Sequence, residues 1–436
     1  MRFLISLSDQ ILGALLTFIV NLWMASEGGP DAYGVYALWL AVAWISGTAQ
    51  STLVTSHLAG LNASDQEQRE TAERFFLTIH ILFVFAAAAI TAGASAILLH
   101  RNSPFHASSA VFFVPFFLIY QYTRALFFAH HRPDCATALT ASTLFLFIGM
   151  ASVCSFYGYA PTPDIGLALA GTSYGIVALI WLVGFTKGRR PLVQWQAIRP
   201  HLHYLRSSGW ILLGAGSSEL TNRLFSFVTA GRYGANSLAM LSATQVAIRP
   251  AWMLSAAWSS VSQPQLARLW RDHNHRRFLA VLGAGLLFPL LGSLLWTGGV
   301  ELGWPEISRL LYKGRYERNG HLILLWGCNV VLGGLSAVGS TAMLAMKRYR
   351  SLAITDVLAA LTTCACMAAL SRNADYSLVI VGTLAGQAVQ CLSMALYLKG
   401  ALHDTSHAEQ ASPPSSTSEN GAPQSGLISV RPTTRR

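Results

Sequence analysis

The sequence predicts an all-α polytopic membrane protein of about twelve transmembrane helices, arranged as two pseudo-symmetric lobes of six. Three observations carry this. About twelve apolar runs, each near twenty residues long, fill residues 7–398, and most connections between them are short. A bilayer core of about 30 Å needs roughly 20 apolar residues to cross it as a helix, and backbone amides in lipid must be satisfied within the segment. Charged residues make up only 11% of the 436, against roughly 25% in soluble chains. Finally, the longest internal connection falls near the middle of the chain, at residues 186–208, with six runs on either side.

The runs follow in order. The first, 7–26, opens on Ser8-Asp9-Gln10 and ends before Gly28-Gly29-Pro30. No small-residue cleavage site and soluble domain follow it, so it reads as an uncleaved span. The second, 33–59, is rich in aromatics and closes on Ser and Thr; the third, 75–99, follows a charged stretch around Arg69 and Arg74. The fourth, 110–129, contains Pro115; the fifth, 137–157, and sixth, 165–185, each follow a proline turn. The seventh and eighth, 209–230 and 237–262, are separated by Gly231-Arg232-Tyr233-Gly234. The last four are 278–297, 321–345, 352–371 and 376–398.

The expected organisation is an N-terminal lobe (1–185), a linker (186–208), a C-terminal lobe (209–400) and a tail (401–436). In the linker, Trp195, Ile198, Leu202 and Leu205 recur at helical spacing, which predicts an amphipathic helix in the membrane interface. The tail is Ser-, Pro- and Thr-rich with few large apolar residues, the composition of a disordered segment. Lys and Arg in the connections favour one side by about fifteen to seven, which places the richer side and both termini in the cytoplasm. The net charge of +11 therefore belongs to short loops between spans and does not indicate a nucleic-acid partner. The six cysteines are scattered and form no CxxC pair. No HExxH, P-loop or GxSxG pattern occurs, so neither enzyme chemistry nor ATP coupling is expected, and no metal or organic cofactor is implied. The sequence leaves the driving force open among protons, sodium and the membrane potential, with a proton or sodium as the candidate coupling ion.

The halves look related. A shift of about 202 residues lays Gly29 on Gly231, Ala37 on Ala239 and Asn21 on Arg223. Repeated halves with a site at their interface are a common transporter plan.

Function in such a chain falls to polar residues inside the spans, where a charge costs a few kcal/mol and faces the bundle interior. Arg249 sits near the middle of the eighth run, beside Pro250, which kinks the helix. Gln245, Arg249, Trp252, Ser255 and Ser259 share one face, suited to a phosphate or a sugar. The plainer alternative is an arginine that locks packing by bonding a neighbour's carbonyls. In the seventh run Glu219, Asn222, Arg223 and Ser226 form a stripe, and Glu219 and Arg223 are spaced to neutralise each other. In the first run Gln10, Ala14, Thr17 and Asn21 share a face. The second run adds Thr48, Ser51, Thr52 and Thr55. Arg124 in the fourth run either contacts substrate or snorkels to the interface. Substrate contact is thus assigned to Arg249, Arg223, Arg124, Gln245, Trp252, Asn21 and Gln10. Asp9, Glu219 and Asp356 are the candidates for ion coupling, although Asp9 and Asp356 lie near span ends and could be solvated.

The segment Gly29-Pro30-Asp31-Ala32-Tyr33-Gly34-Val35-Tyr36-Ala37-Leu38, preceded by Ser8-Asp9-Gln10, Phe18, Asn21 and Ala25, resembles the opening of Wzx-type polysaccharide exporters. Ile307-Ser308-Arg309-Leu310-Leu311-Tyr312-Lys313-Gly314-Arg315-Tyr316 is similar to the segment before their tenth span. These exporters belong to the multidrug, oligosaccharidyl-lipid and polysaccharide flippase (MOP) superfamily. The resemblance covers nearly the whole folded part; the Ser/Pro tail departs from it. It implies a flippase that carries an undecaprenyl-diphosphate-linked oligosaccharide by alternating access through a cavity between lobes, for exopolysaccharide or O-antigen assembly. The implied partners are that lipid-linked glycan, membrane lipid, and a polysaccharide polymerase with its export machinery. A multidrug antiporter and a membrane glycan polymerase or ligase are the alternatives. The first would favour buried carboxylates over arginines, and the second a long extracytoplasmic catalytic loop.

Overall fold

A computed structural model describes residues 2–59, 66–186, 191–192 and 194–411. Among these residues every regular element is helical. Helix α1 (Arg2–Trp23) passes through a π-helical turn, Met24–Gly28, into α2 (Gly29–Gln50), which continues through a second π turn, Ser51–Thr55, to Ala59. The lobe is completed by α3 (Gln66–His100), α4 (Ala110–Ala129), α5 (Pro133–Phe156) and α6 (Pro163–Thr186). The second lobe holds α7 (Gly209–Arg271), α8 (His275–Tyr312), α9 (His321–Ala345), α10 (Tyr349–Leu370) and α11 (Leu378–Ala411).

Nine helical stretches among the described residues are long and apolar enough to cross a membrane. The first, Ser8–Leu58, contains the break at Gly29 and supplies two crossings. Helix α7 is outside the nine because Glu219, Arg223, Arg249 and many hydroxyl side chains lower its hydropathy. It breaks at Gly234 into two arms, each of spanning length, which completes the expected twelve crossings. The chain is a multi-pass membrane protein.

Several helices outrun their apolar cores. Helix α3 begins at Gln66 rather than 75, and α8 runs to Tyr312 rather than 297. The 38 residues of α8 extend about 57 Å at 1.5 Å per residue, well beyond the bilayer core. Helix α11 likewise continues to Ala411, past the expected start of the tail; residues 412–436 lie outside the described ones.

The two breaks define the repeat. Gly29 has φ 82° and ψ 169°, and Gly234 has φ 87° and ψ 178°. Only glycine adopts this region without strain. The equivalent of Gly29 is therefore Gly234 and not Gly231, and Asn21 falls on Ser226 and not on Arg223. Identity matching missed the register because it weighted the shared letters of the turn, whereas the backbone conformation marks the residue.

The lobes meet where α2 packs against the second arm of α7. At Gly34 a Cβ would overlap the backbone of Ala235, so the helices touch through their main chains. On the side away from the linker, Lys313 Nζ lies 2.8 Å from Glu27 Oε2. On the linker side, His57 Nε2 and Ser208 Oγ are 2.6 Å apart.

The linker forms short turns, Trp195–Ile198, Arg199–His201 and Leu202–Ser207, in place of one continuous helix. Pro200 interrupts it. Leu192, Ile198, Leu202 and Leu205 pack on Val54, Leu58, Phe75 and Phe76, so its apolar face is covered by the first lobe. His201 stacks near Phe75 with ring centroids 5.3 Å apart. Burial there, with His203 nearby, holds the His201 imidazole below its usual range.

Candidate functional site

Four crossings surround a small cleft near the breaks of the two long helices. Helix α1 supplies Asn21; α2 supplies Tyr33, Ala37, Leu40 and Ala41; the first arm of α7 supplies Arg223, Phe225 and Ser226; the second supplies Ser242, Gln245, Val246 and Arg249. Asn21, Arg223, Gln245 and Arg249, assigned from sequence, come together here from three separate stretches of chain. The described lining includes two arginines and no carboxylate.

Each side chain is held differently. Asn21 is buried; its Nδ2 donates to Thr17 O at 2.7 Å, and its Oδ1 accepts from the Tyr33 hydroxyl at 3.0 Å. That bond ties α1 to α2 across the π turn. Arg223 Nε donates to Glu219 Oε2 at 3.3 Å, one helical turn away, and its guanidinium carbon lies 5.5 Å from the Trp44 ring centroid. Trp44 stands on the α2 face that carries Ala37 and Ala41, so Arg223 bridges the lobes. Among the described residues, Arg249 has no carboxylate within ion-pair distance. Pro250 follows it inside the helix, and the Trp296 indole from α8 donates to Ala247 O at 3.0 Å nearby.

The remaining assigned residues stand elsewhere. Arg124 is 27% exposed and faces Asp9, which is 0% exposed. Arg124 Nε reaches Asp9 Oδ2 at 2.8 Å, Thr140 Oγ1 donates to Asp9 Oδ1 at 2.7 Å, and Tyr120 Oη lies 2.9 Å from Thr140 Oγ1. Asp9 is thus the centre of a buried network inside the first lobe and not a solvated span end. Arg124 is bound by that network and does not line the cleft. Gln10 is exposed on α1. Trp252 is 38% exposed and turns toward α9, where its ring closes on Gly333. Asp356 is buried, and its Oδ1 accepts from Gln390 Nε2 at 2.6 Å, so it too is not solvated. The stripe on the first arm of α7 divides: Arg223 and Ser226 face the cleft, while Asn222 Oδ1 accepts from Gln387 of α11 at 3.2 Å. The expected polar face of α2 also differs. Thr52 and Thr55 donate to carbonyls of their own helix, at 2.9 and 3.4 Å, while the cleft uses the other end of α2.

Sequence reasoning passed over Tyr33 and Ser242 as cleft residues, and Trp44 as the ring against Arg223. Tyr33 lay inside the turn motif and Trp44 inside an aromatic-rich run, where packing is the ordinary role. The only available signal was helical spacing, of Tyr33 and Trp44 from Ala37 and Ala41 and of Ser242 from Gln245.

No family model matches the sequence, and no curated protein matches it. Solved structures do. The lipid II flippase MurJ in an inward closed conformation superposes with a TM-score of 0.71 at 11% identity, covering 91% of this chain and 87% of that one. A multidrug resistance MATE family transporter of the MOP superfamily, in an outward-facing conformation, gives 0.62 at 12% identity, covering 93% and 95%. The chain has the fold that these solved structures share. A further MOP transporter, from Pyrococcus furiosus, described as having reversed polarity in its binding pocket, gives 0.57 at 12% identity, covering 91% and 94%. These neighbours are transporters and flippases. At such identities the likeness establishes the fold alone, and the cleft of this chain must be read from its own residues.

Proposed function

We propose that the chain flips an undecaprenyl-diphosphate-linked oligosaccharide across the bacterial inner membrane by alternating access, with both termini in the cytoplasm. The observation that carries this reading is the pair Arg223 and Arg249 in a carboxylate-free lining between the lobes. Guanidinium groups match phosphate oxygens bidentately and keep their charge when desolvated. Asn21, Tyr33, Ser226, Ser242 and Gln245 add hydroxyl and amide groups suited to sugars. An antiporter for cationic drugs would place carboxylates in the lining, and the lining disfavours that reading. Asp9, Glu219 and Asp356 stay candidates for coupling to protons or sodium. The polymerase and export machinery for the glycan would act downstream of it.

The test is complementation of a deletion strain. Arg249→Ala combined with Arg223→Ala should abolish polymer and leave lipid-linked repeat units on the cytoplasmic face. Repeat units stranded on the outer face would instead indicate polymerisation. Normal polymer would remove both arginines from the site.

A further inference from the structure

The charges around the cleft do not balance a diphosphate as they stand. Arg223 and Arg249 both line it, but Arg223 is already answered by Glu219. Glu219 is 22% exposed and Arg223 17%, so neither is deeply locked. The contact is a single one, Nε to Oε2 at 3.3 Å, at the long end of the hydrogen-bond range. An arginine presents five donors in a planar fork and pairs best bidentately. The bridge to Glu219 therefore leaves most of the guanidinium unused. Its guanidinium carbon lies over the Trp44 ring of the other lobe, 5.5 Å from the centroid, and this contact steadies the group. Glu219 itself is outside the described lining, one turn back on the same arm.

We infer that Glu219 is an exchangeable counter-ion: the anionic headgroup displaces it from Arg223 on loading, and its return to Arg223 helps expel the headgroup on release. The inference rests on the functional reading above and assigns a positioning residue to it. With Glu219 bound to Arg223, the cleft offers, among the described residues, one free cation, Arg249, to a doubly charged diphosphate. With Glu219 displaced it offers both. A carboxylate one turn away can rebind without any backbone motion, because residues four apart share a helix face. The empty cleft then avoids holding two unanswered arginines side by side, and the loaded cleft avoids a repulsive carboxylate. A purely structural salt bridge would be expected to fall back on stability alone; an exchangeable one sets affinity against release.

The experiment measures equilibrium binding of undecaprenyl diphosphate to the purified full chain in lipid nanodiscs, with undecaprenol as the uncharged control, alongside the flipping rate in vesicles. Glu219→Gln should tighten diphosphate binding about five- to tenfold and slow turnover by a similar factor, while undecaprenol binding is unchanged. Glu219→Asp, which keeps the charge but shortens its reach, should give a smaller shift in the same direction and covers the case in which Glu219→Gln does not fold. In an Arg223→Ala background, Glu219→Gln should have no further effect on affinity. Unchanged or weaker diphosphate binding in a folded Glu219 variant overturns the inference. Unchanged binding in Arg249→Ala overturns the functional reading instead, so the two failures are separable.

Discussion

A charge inside a bilayer helix persists only when a partner or water answers it, and three arginines of this chain are answered in three ways. Arg124 is closed off by Asp9, Thr140 and Tyr120 within one lobe. Arg223 shares a single bond with Glu219, and Arg249 faces the cleft without a carboxylate. The first arrangement is a stability element. Arg124→Ala leaves Asp9 buried and uncompensated, which costs about 3–5 kcal/mol by analogy with broken buried pairs. A thermal-shift assay should show a large fall in Tm for Arg124→Ala, partly restored by adding Asp9→Asn. The cleft arginines behave oppositely: Arg249→Ala should leave Tm nearly unchanged and weaken diphosphate binding at least about tenfold. The sequence made all three arginines visible, because charges are rare in apolar runs. It did not show that Arg124 pairs with Asp9, since 115 residues separate them and only the packing of α1, α4 and α5 brings them together.

At the scale of elements, the breaks matter more than the helices. Gly234→Ala forces a Cβ into a backbone region that costs roughly 1–3 kcal/mol, and it should lower Tm and disturb the cleft, whose Arg223 and Gln245 flank the break. Gly231→Ala, in an ordinary helical conformation with open space around it, should be neutral or slightly stabilising. The comparison tests the corrected repeat register directly. The linker supplies a pH dependence. His201 is held below its usual range by burial and by His203, so the packed linker prefers the neutral imidazole. That contribution is complete above the unfolded value of about 6.5 and is lost as pH falls through the lowered one. Limited proteolysis in the linker should therefore be faster at about pH 5.5 than at about pH 7.5. His201→Gln should reduce the difference. Apolar length revealed where each crossing sits, but not where each helix ends. Beyond the apolar core, segments such as 66–74 and 298–312 stay helical through polar residues that hydropathy reads as loop.

The whole molecule is two lobes pinned at both ends of their interface. Glu27 and Lys313 join them on one side, His57 and Ser208 on the other, and Gly34 meets Ala235 between. Alternating access requires one end to open while the other holds. With the six native cysteines replaced, Glu27→Cys and Lys313→Cys joined by a short, reducible thiol-reactive cross-linker should stop transport, and reductant should restore it. Transport that continues through the closed cross-link would show that this end never parts. The twelve-crossing plan was readable in composition and periodicity, whereas the lobe contacts were not, because they rest on single residues such as Gly34 whose role depends on what lies opposite.

The matched glycines Gly29 and Gly234 carry one more consequence. Each follows the first crossing of a half with an even number of crossings, so the halves thread the bilayer in the same direction and their symmetry axis runs along the membrane normal. In transporters whose repeats are inverted, exchanging the conformations of the two halves generates the opposite-facing state. That operation is closed to this chain. Turning it about its axis returns the same face to the same side, so its other state is a separate structure, with its own contacts, that no internal symmetry can supply.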